Sequence, residues 1–196
     1  YSMEILNEYF KKSSMMIAQL EMNVEVISSM ANGIYDQQLK GGKLLIAGNG
    51  GSCADAEHFA GEMTCTFKDR NRRGFSAISL SNNASAITAW VNDFNYESYF
   101  SRQVESLGTA GDILFLISTG GGDPKTGASM NLVSAAETAL KKDMEVYSIV
   151  GKTGGELSRI SHQYVKVASF ETSQIQEGHI AIIHAICLVL DEIVKR

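Results

Sequence analysis

The chain has 196 residues, of which 44% are hydrophobic and 20% charged, and its formal net charge at pH 7 is −5. This composition is that of a globular protein with one domain, residues 1–196, and the acidic balance argues against a nucleic-acid partner. Because the three cysteines form no CxxC pair and no apolar run reaches the length of a membrane span, we expect a cytoplasmic protein without a signal peptide, a disulfide framework or a membrane partner.

The first segment, residues 1–40, has a helical pattern. Its apolar side chains recur at the spacing of one helix face, at Ile5, Leu6, Tyr9, Phe10, Ile17, Leu20, Val24, Ile27 and Ala31;. Four methionines lie in the same stretch, at Met15, Met16, Met22 and Met30. A methionine stripe of this kind is typical of a core or a subunit interface. We therefore expect N-terminal helices that serve oligomerisation, followed by an α/β core over residues 41–196.

Short apolar runs then alternate with helical segments. The predicted strands are 43–47, 75–80, 112–117, 145–150 and 164–168. The predicted helices are 52–67, 84–92, 97–107, 130–142, 155–160 and 174–195. This alternation is typical of a parallel sheet covered by helices on both faces, here a three-layer α-β-α sandwich with five strands. Ligands of such sheets bind at the carboxyl ends of the strands, so the turns that follow the strands are the candidate site.

The turn after the first predicted strand contains Asn49, Gly50, Gly51 and Ser52. Glycines let the backbone approach an anion closely, and the free N–H groups at a helix start attract phosphate. We expect Ser52 to open the next helix, and we expect these four residues to bind the phosphate of a small substrate.

The segment after the third predicted strand, from Ser118 to Ser129, is rich in glycine and hydroxyl side chains. Ser118 and Thr119 stand at the strand end, and Ser129 is expected to cap the next helix, so the segment is interpreted as a second phosphate contact. The alternative is an ordinary flexible loop. Asp123 is expected to point away from a bound phosphate, whereas Lys125 is placed to help bind it.

Four side chains carry the chemistry. His58 and Glu62 are four residues apart and share one helix face;. Gln176 and His184 lie on the last predicted helix, on a broadly common face;. Together the four offer nitrogen and oxygen ligands for one divalent metal. Equally, Glu62 and His184 are suited to act as a general acid/base pair, and the pattern alone leaves both interpretations open.

Three other polar residues have simpler interpretations. His179 lies among isoleucine and alanine and is expected to be a core residue. His162, between a helical segment and a strand, is expected at the surface. Asp93 follows a helical segment, where it either anchors substrate hydroxyls or caps a turn.

As a set, these residues resemble the phosphoheptose isomerases of the sugar isomerase (SIS) fold. The resemblance covers nearly the whole chain. It runs through Gly48-Asn49-Gly50-Gly51-Ser52, His58, Glu62, Asn92-Asp93-Phe94, Ile117-Ser118-Thr119, Ile175-Gln176-Glu177, His179 and His184. It implies a flavodoxin-like fold and a homotetramer with active sites at subunit interfaces. The implied reaction interconverts sedoheptulose 7-phosphate and D-glycero-D-manno-heptose 7-phosphate through an enediol, for bacterial lipopolysaccharide or capsule.

The resemblance also implies roles for individual residues. Glu62 and His184 match the acid/base pair of the family. Phosphate contacts are implied for Ser52, Ser118, Thr119 and Ser129, and sugar contacts for Asp93 and Gln176. Some members carry zinc, and the matching positions here are His58, Glu62, Gln176 and His184. No nucleotide cofactor is implied.

The chain departs from the family pattern around the substrate. The second phosphate segment is longer, with Gly120 where the family has a serine. Thr66 stands where many members have arginine, and Ser173-Gln174 replaces an acidic–arginine pair. These changes keep two alternatives open: an isomerase of another phosphosugar, and a non-catalytic SIS protein that binds a partner such as the replication initiator DnaA. Retention of Glu62 and His184 favours the enzyme.

Overall fold

The computed structural model describes residues 2–195. Its helices are α1 (Ser2–Gln19), α2 (Val24–Leu39), α3 (Gly51–Thr64), α4 (Ala84–Asp93), α5 (Tyr99–Leu107), α6 (Met130–Lys141), α7 (Leu157–Ile160) and α8 (Thr172–Val194). Its strands are β1 (Leu44–Gly48), β2 (Ala77–Ser79), β3 (Ile113–Ser118), β4 (Glu145–Val150) and β5 (Gln163–Lys166). Among these residues, no helix has both the length and the apolar character needed to cross a membrane.

The five strands form one parallel sheet in the order β2-β1-β3-β4-β5. This is the flavodoxin-like strand order, and it confirms the predicted α/β fold. Gly48 of β1 is aligned with Ile117 of β3, so the turns that follow these two strands emerge side by side. The strand order therefore brings both predicted phosphate segments together at the carboxyl ends of the strands.

Each face of the sheet carries its own hydrophobic core, because successive side chains of a strand point to opposite faces. Along β1, Leu44 and Ile46 join a core formed with α2, α3 and α8. Leu45 and Ala47 join a second core formed with α5 and α6. The result is the predicted three-layer arrangement.

Element boundaries differ from the predictions where local geometry intervenes. The N-terminal helical pattern is divided by a 3-10 turn at Leu20–Asn23. The helix predicted over 155–160 is reduced to α7, since Gly154 and Gly155 have φ values of 89° and 56° that a helix does not accept;. The strands predicted at 75–80 and 164–168 are shorter as β2 and β5, which lie at the two edges of the sheet.

His179 on α8 is fully buried, which confirms that it is a core residue. Its Nε2 lies 3.1 Å from the carbonyl oxygen of Val150, so the hydrogen bond requires the tautomer that carries its proton on Nε2;. Burial disfavours the charged imidazolium and lowers the pKa of His179 from 6.5 to about 4, although the bond to Val150 opposes this change;.

This lowered pKa predicts a specific loss of stability in mild acid. Between pH 6.5 and about 4 the unfolded chain binds a proton that folded His179 does not, so the free energy of unfolding falls as the pH falls through that window;. The expected loss between pH 7 and pH 5 is about 2 kcal/mol. Urea unfolding at fixed protein concentration measures it. His179→Gln, whose amide can still donate to Val150, is expected to remove most of this pH dependence, and an unchanged dependence would contradict the assignment.

Candidate active site

Helices α3 and α8 bring His58, Glu62 and His184 together. One ligand atom from each lies within 4.8 Å of the others. On α3, the Nε2 atom of His58 is 3.0 Å from Oε1 of Glu62, as their four-residue spacing predicts;. The Nε2 atoms of His184 and His58 are 3.4 Å apart, across 126 residues of sequence. The carboxylate of Glu62 and the imidazole of His184, the two groups predicted for acid/base chemistry, are therefore in one cluster.

The cluster is partly accessible to solvent and packs against one aromatic ring. The side chain of Glu62 is 23% exposed and that of His58 42% exposed. The Phe67 ring stacks on the His184 ring with centroids 5.6 Å apart. Two imidazole nitrogens and one carboxylate oxygen are a donor set that suits zinc, so the residues present fit the metal that the resemblance implies.

The glycine turn at the end of β1 is close to its predicted form. Gly50 stands at the N-cap position with φ 57°, so α3 begins at Gly51 rather than at the predicted Ser52. Ser52 is buried. The side-chain amides of Asn49 and Asn131 are linked by hydrogen bonds of 2.9 Å, which tie the turn to the first turn of α6.

The second predicted phosphate segment is an ordered loop. The Ser118 hydroxyl accepts a 2.9 Å hydrogen bond from the Gly121 N–H and donates one of 3.2 Å to the Ser129 hydroxyl. Ser129 occupies the N-cap position of α6 but makes no side-chain cap, because its φ of 57° is left-handed and its hydroxyl meets Ser118 instead. Half-buried Thr119 directly follows Ser118. The Asp123 carboxylate is used inside the loop, where it accepts hydrogen bonds from the Lys125 N–H and the Thr126 hydroxyl.

Gln176 and Asp93 occupy different surroundings. The amide of Gln176, near the start of α8, lies directly against the glycine turn, because a Cβ atom at Gly51 would come 2.4 Å from Gln176 Nε2. Asp93 is the last residue of α4 and is exposed, and its Oδ1 accepts a 2.8 Å hydrogen bond from Asn92. Tyr96, three residues after Asp93, contacts the glycine turn, since its hydroxyl donates to Asn49 Oδ1 at 2.6 Å.

Sequence reasoning missed Tyr96 and Asn131, which both bind Asn49. A polar aromatic residue just after Asn92-Asp93-Phe94 was a weak signal for the first of them. Asn131 lies in the first turn of a helix that follows a glycine-rich loop, where an amide commonly binds backbone or ligand.

The strand order, with a glycine turn and a hydroxyl-rich loop at adjacent strand ends, fits a protein of the SIS class, and the SIS domain family model matches residues 8–151. A probable phosphoheptose isomerase of Thermoplasma acidophilum is 40% identical over 89% of this chain and 92% of its own length. The phosphoheptose isomerase of Helicobacter pylori (strain P12) is 40% identical over 93% and 92%. The solved phosphoheptose isomerase of Neisseria gonorrhoeae has a TM-score of 0.89 at 35% identity, covering 98% of this chain and all of that one.

The chain belongs to the phosphoheptose isomerases of the SIS-domain family. It is therefore an isomerase, as the resemblance implied. This membership favours the enzyme over the non-catalytic regulator considered from the sequence.

Proposed function

We propose that the protein interconverts sedoheptulose 7-phosphate and D-glycero-D-manno-heptose 7-phosphate through an enediol. The observation that carries this proposal is the cluster of His58, Glu62 and His184, within 4.8 Å of one another. A carboxylate and an imidazole side by side are the groups that an aldose–ketose isomerisation needs. The names of the relatives at about 40% identity point to the same substrate class.

The proton balance of the reaction fits two groups. In the ketose-to-aldose direction, Glu62 takes the proton from C1 while His184 donates a proton to the carbonyl oxygen on C2, and these two transfers give the enediol. His184 then accepts the proton of the hydroxyl on C1, and protonated Glu62 returns its proton to C2. Both groups end as they began, so the cycle needs no external oxidant or nucleotide cofactor.

The phosphate is assigned to the two segments at the ends of β1 and β3. The Ser118 hydroxyl donates to the Ser129 hydroxyl across 3.2 Å, so the O–H of Ser129 is the one placed to donate to an oxygen of a bound anion;. The proposed phosphate contacts are Asn49, Gly50, Gly51, Ser52, Ser118, Thr119 and Ser129. The proposed sugar contacts are Gln176, beside Gly51, and Asp93 at the end of α4.

We further propose one zinc ion at His58, Glu62, Gln176 and His184. Bound there, zinc supplies a Lewis acid that polarises the substrate carbonyl. A carboxylate that ligates a cation is a weaker base, so the metal and the acid/base role compete for Glu62 and His184. Metal content therefore decides how the two roles are divided.

The proposed assembly is a cytoplasmic homotetramer with active sites at subunit interfaces, in which residues 1–40 serve oligomerisation. Large apolar side chains along the N-terminal helices are exposed, at Met3, Ile5, Leu6, Phe10, Met15, Ile17, Met22 and Val24. Contiguous exposed apolar surface of this kind marks an interaction site. Helix α4 has no buried residue; Val91 on this helix and Phe94, directly after Asp93, are also exposed. The free Cys53, Cys65 and Cys187 agree with a reducing compartment;.

One experiment tests the reaction, the substrate and the metal together. Purified protein, with its oligomeric state checked by light scattering, is incubated with sedoheptulose 7-phosphate with and without a chelator, and the aldose 7-phosphate is measured. Because zinc is proposed to polarise the carbonyl, we expect turnover to fall at least about tenfold on metal removal and to return with zinc. Unchanged or faster turnover without metal would contradict the zinc proposal and leave Glu62 and His184 as an acid/base pair that acts without it. Hexulose and pentulose phosphates are assayed in parallel. Faster turnover of one of these would favour the other-phosphosugar alternative, which the long segment from Ser118 to Ser129 motivates, and no turnover of any would contradict the proposed function.

A further inference from the structure

A buried ion pair joins the end of α3 to α8. The Nε atom of Arg72 is 2.7 Å from Oδ1 of Asp191, and the two side chains are 1% and 2% exposed. Neither residue belongs to the proposed chemistry. A buried pair of charges is costly to desolvate, and further hydrogen bonds to both side chains are needed to offset that cost.

The guanidinium of Arg72 binds the last turn of the helix that carries Glu62. It donates to the carbonyl oxygen of Glu62 itself, to that of Met63 at 3.1 Å and to that of Arg73 at 3.0 Å. Its Cζ atom also lies 4.9 Å from the centre of the Phe75 ring. The last carbonyls of a helix have no partner within the helix, so Arg72 satisfies them and fixes where α3 ends.

The carboxylate of Asp191 binds the loop that connects α3 to Arg72. Its Oδ2 accepts hydrogen bonds of 2.8 Å from the backbone N–H groups of both Lys68 and Asp69. Burial alone raises the pKa of Asp191, but the hydrogen bonds from Asp69, Arg72 and Lys68 outweigh it and hold the pKa below its ordinary value;. Asp191 is therefore ionised, and it orders the loop on which Phe67 stacks over His184.

Both ends of the pair therefore reach the proposed active site. Arg72 holds the backbone of Glu62. Asp191 follows His184 by seven residues on α8, close to two helical turns, so the two side chains share one face of that helix. We propose that Arg72 and Asp191 are positioning residues that set the separation of Glu62 from His184 and the placement of Phe67 over the imidazole. The catalytic part of this inference rests on the proposed function.

A second buried carboxylate provides a matched control. Asp112 directly precedes β3, at the amino end of the parallel strands and so opposite to the candidate site. It accepts hydrogen bonds from the Lys43 ammonium at 2.5 Å, the Lys43 N–H at 2.9 Å and the Thr109 N–H at 2.8 Å. Its side chain is 2% exposed, as that of Asp191 is. The two sites have the same charge, the same burial and similar partners, but only Asp191 is connected to the active site.

The test compares Asp191→Asn with Asp112→Asn. In both variants an amide replaces a carboxylate, which removes the negative charge and turns an NH₂ group toward hydrogen-bond donors. Both variants are therefore expected to have a lower melting temperature than the wild type. Only Asp191→Asn is expected to lower kcat about tenfold with KM within about twofold, and to weaken zinc binding measured by calorimetry about tenfold. Equal changes in the two variants would show a purely structural role and overturn the inference.

Two further variants and one further readout keep the test decisive. Arg72→Lys retains the charge but not the planar fork, so it is expected to lower kcat about as much as Asp191→Asn, and wild-type kcat and zinc affinity in it would refute the inference. If Asp191→Asn does not fold, Phe67→Leu removes the ring that stacks on His184 without breaking the ion pair of Arg72 and Asp191. Crystal structures of the variants report the separation of Glu62 from His184 directly. They judge the positioning role even if the protein fails to act on sedoheptulose 7-phosphate.

Discussion

Glu62→Gln is expected to lower kcat at least about 100-fold while leaving the fold and the oligomeric state unchanged. Glutamine has the shape of glutamate, and it can keep the contact with His58 that Glu62 makes at 3.0 Å. It cannot accept a proton from carbon. Among residues 2–195, Glu62 is the only carboxylate in the cluster with His58 and His184.

The matched control is Glu57→Gln. Glu57 lies on the same helix and is exposed, and it stands outside the cluster, with the Cys53 thiol at 3.9 Å. Its replacement makes the same change of charge on the same element and is expected to leave kcat within about twofold. Wash-in of solvent deuterium at C1 and C2 of the sugar, followed by NMR, detects proton abstraction even without net turnover. Deuterium incorporation at the wild-type rate by folded Glu62→Gln would refute the assigned role.

The central strands were predictable because burial on both faces requires a continuous apolar run. Every residue of β1 and β3 is buried, and both strands lie within one residue of their predicted positions. The edge strands were harder to delimit. In β5 only Val165 is buried, so the sequence offers little contrast between the strand and the residues around it.

The local part of the site was equally accessible from sequence. His58 and Glu62 contact each other because a helix places residues four apart on one face. The contact of His58 with His184 spans 126 residues, and no periodicity encodes it. The residue types alone allowed this grouping as one of two interpretations, and the resemblance to a family implied it.

The supporting residues could not be recognised in advance. Arg72 stands in the run Asn71-Arg72-Arg73-Gly74, and Asp191 in a charged C-terminal stretch, and both patterns are typical of solvated surface. Their burial depends on each other across 119 residues. A charged residue is buried only when the folded chain supplies its partners, so burial of this kind is a property of the tertiary structure.

Gly121→Ala is the second substitution with a large expected effect. It tests whether the loop from Ser118 to Ser129 is a rigid part of the proposed phosphate site. Gly121 has a φ of 74°, and a Cβ atom there would lie 1.9 Å from the carbonyl oxygen of Gly154. The Leu157 N–H donates to the Gly121 carbonyl oxygen at 2.8 Å, so the loop and the turn before α7 are packed backbone to backbone. Neither backbone has a flexible side chain that could move aside.

The matched control is Gly127→Ala in the same loop. Gly127 has a φ of 77° but has no atom within 4 Å of the added Cβ, so it carries the left-handed strain, about 1–2 kcal/mol, without the clash;. Gly121→Ala is expected to destabilise the protein by at least about 2 kcal/mol more than Gly127→Ala, measured by urea unfolding.

The effect on function follows from one hydrogen bond. The Gly121 N–H donates to the Ser118 hydroxyl at 2.9 Å, so moving Gly121 away from Gly154 also moves the hydroxyl assigned to the phosphate. Gly121→Ala is therefore expected to raise KM about tenfold and to weaken competitive inhibition by inorganic phosphate by a similar factor, with Gly127→Ala near wild type. If both variants kept wild-type KM and phosphate inhibition, Ser118 would not hold the phosphate, and the loop would serve only to connect β3 with α6.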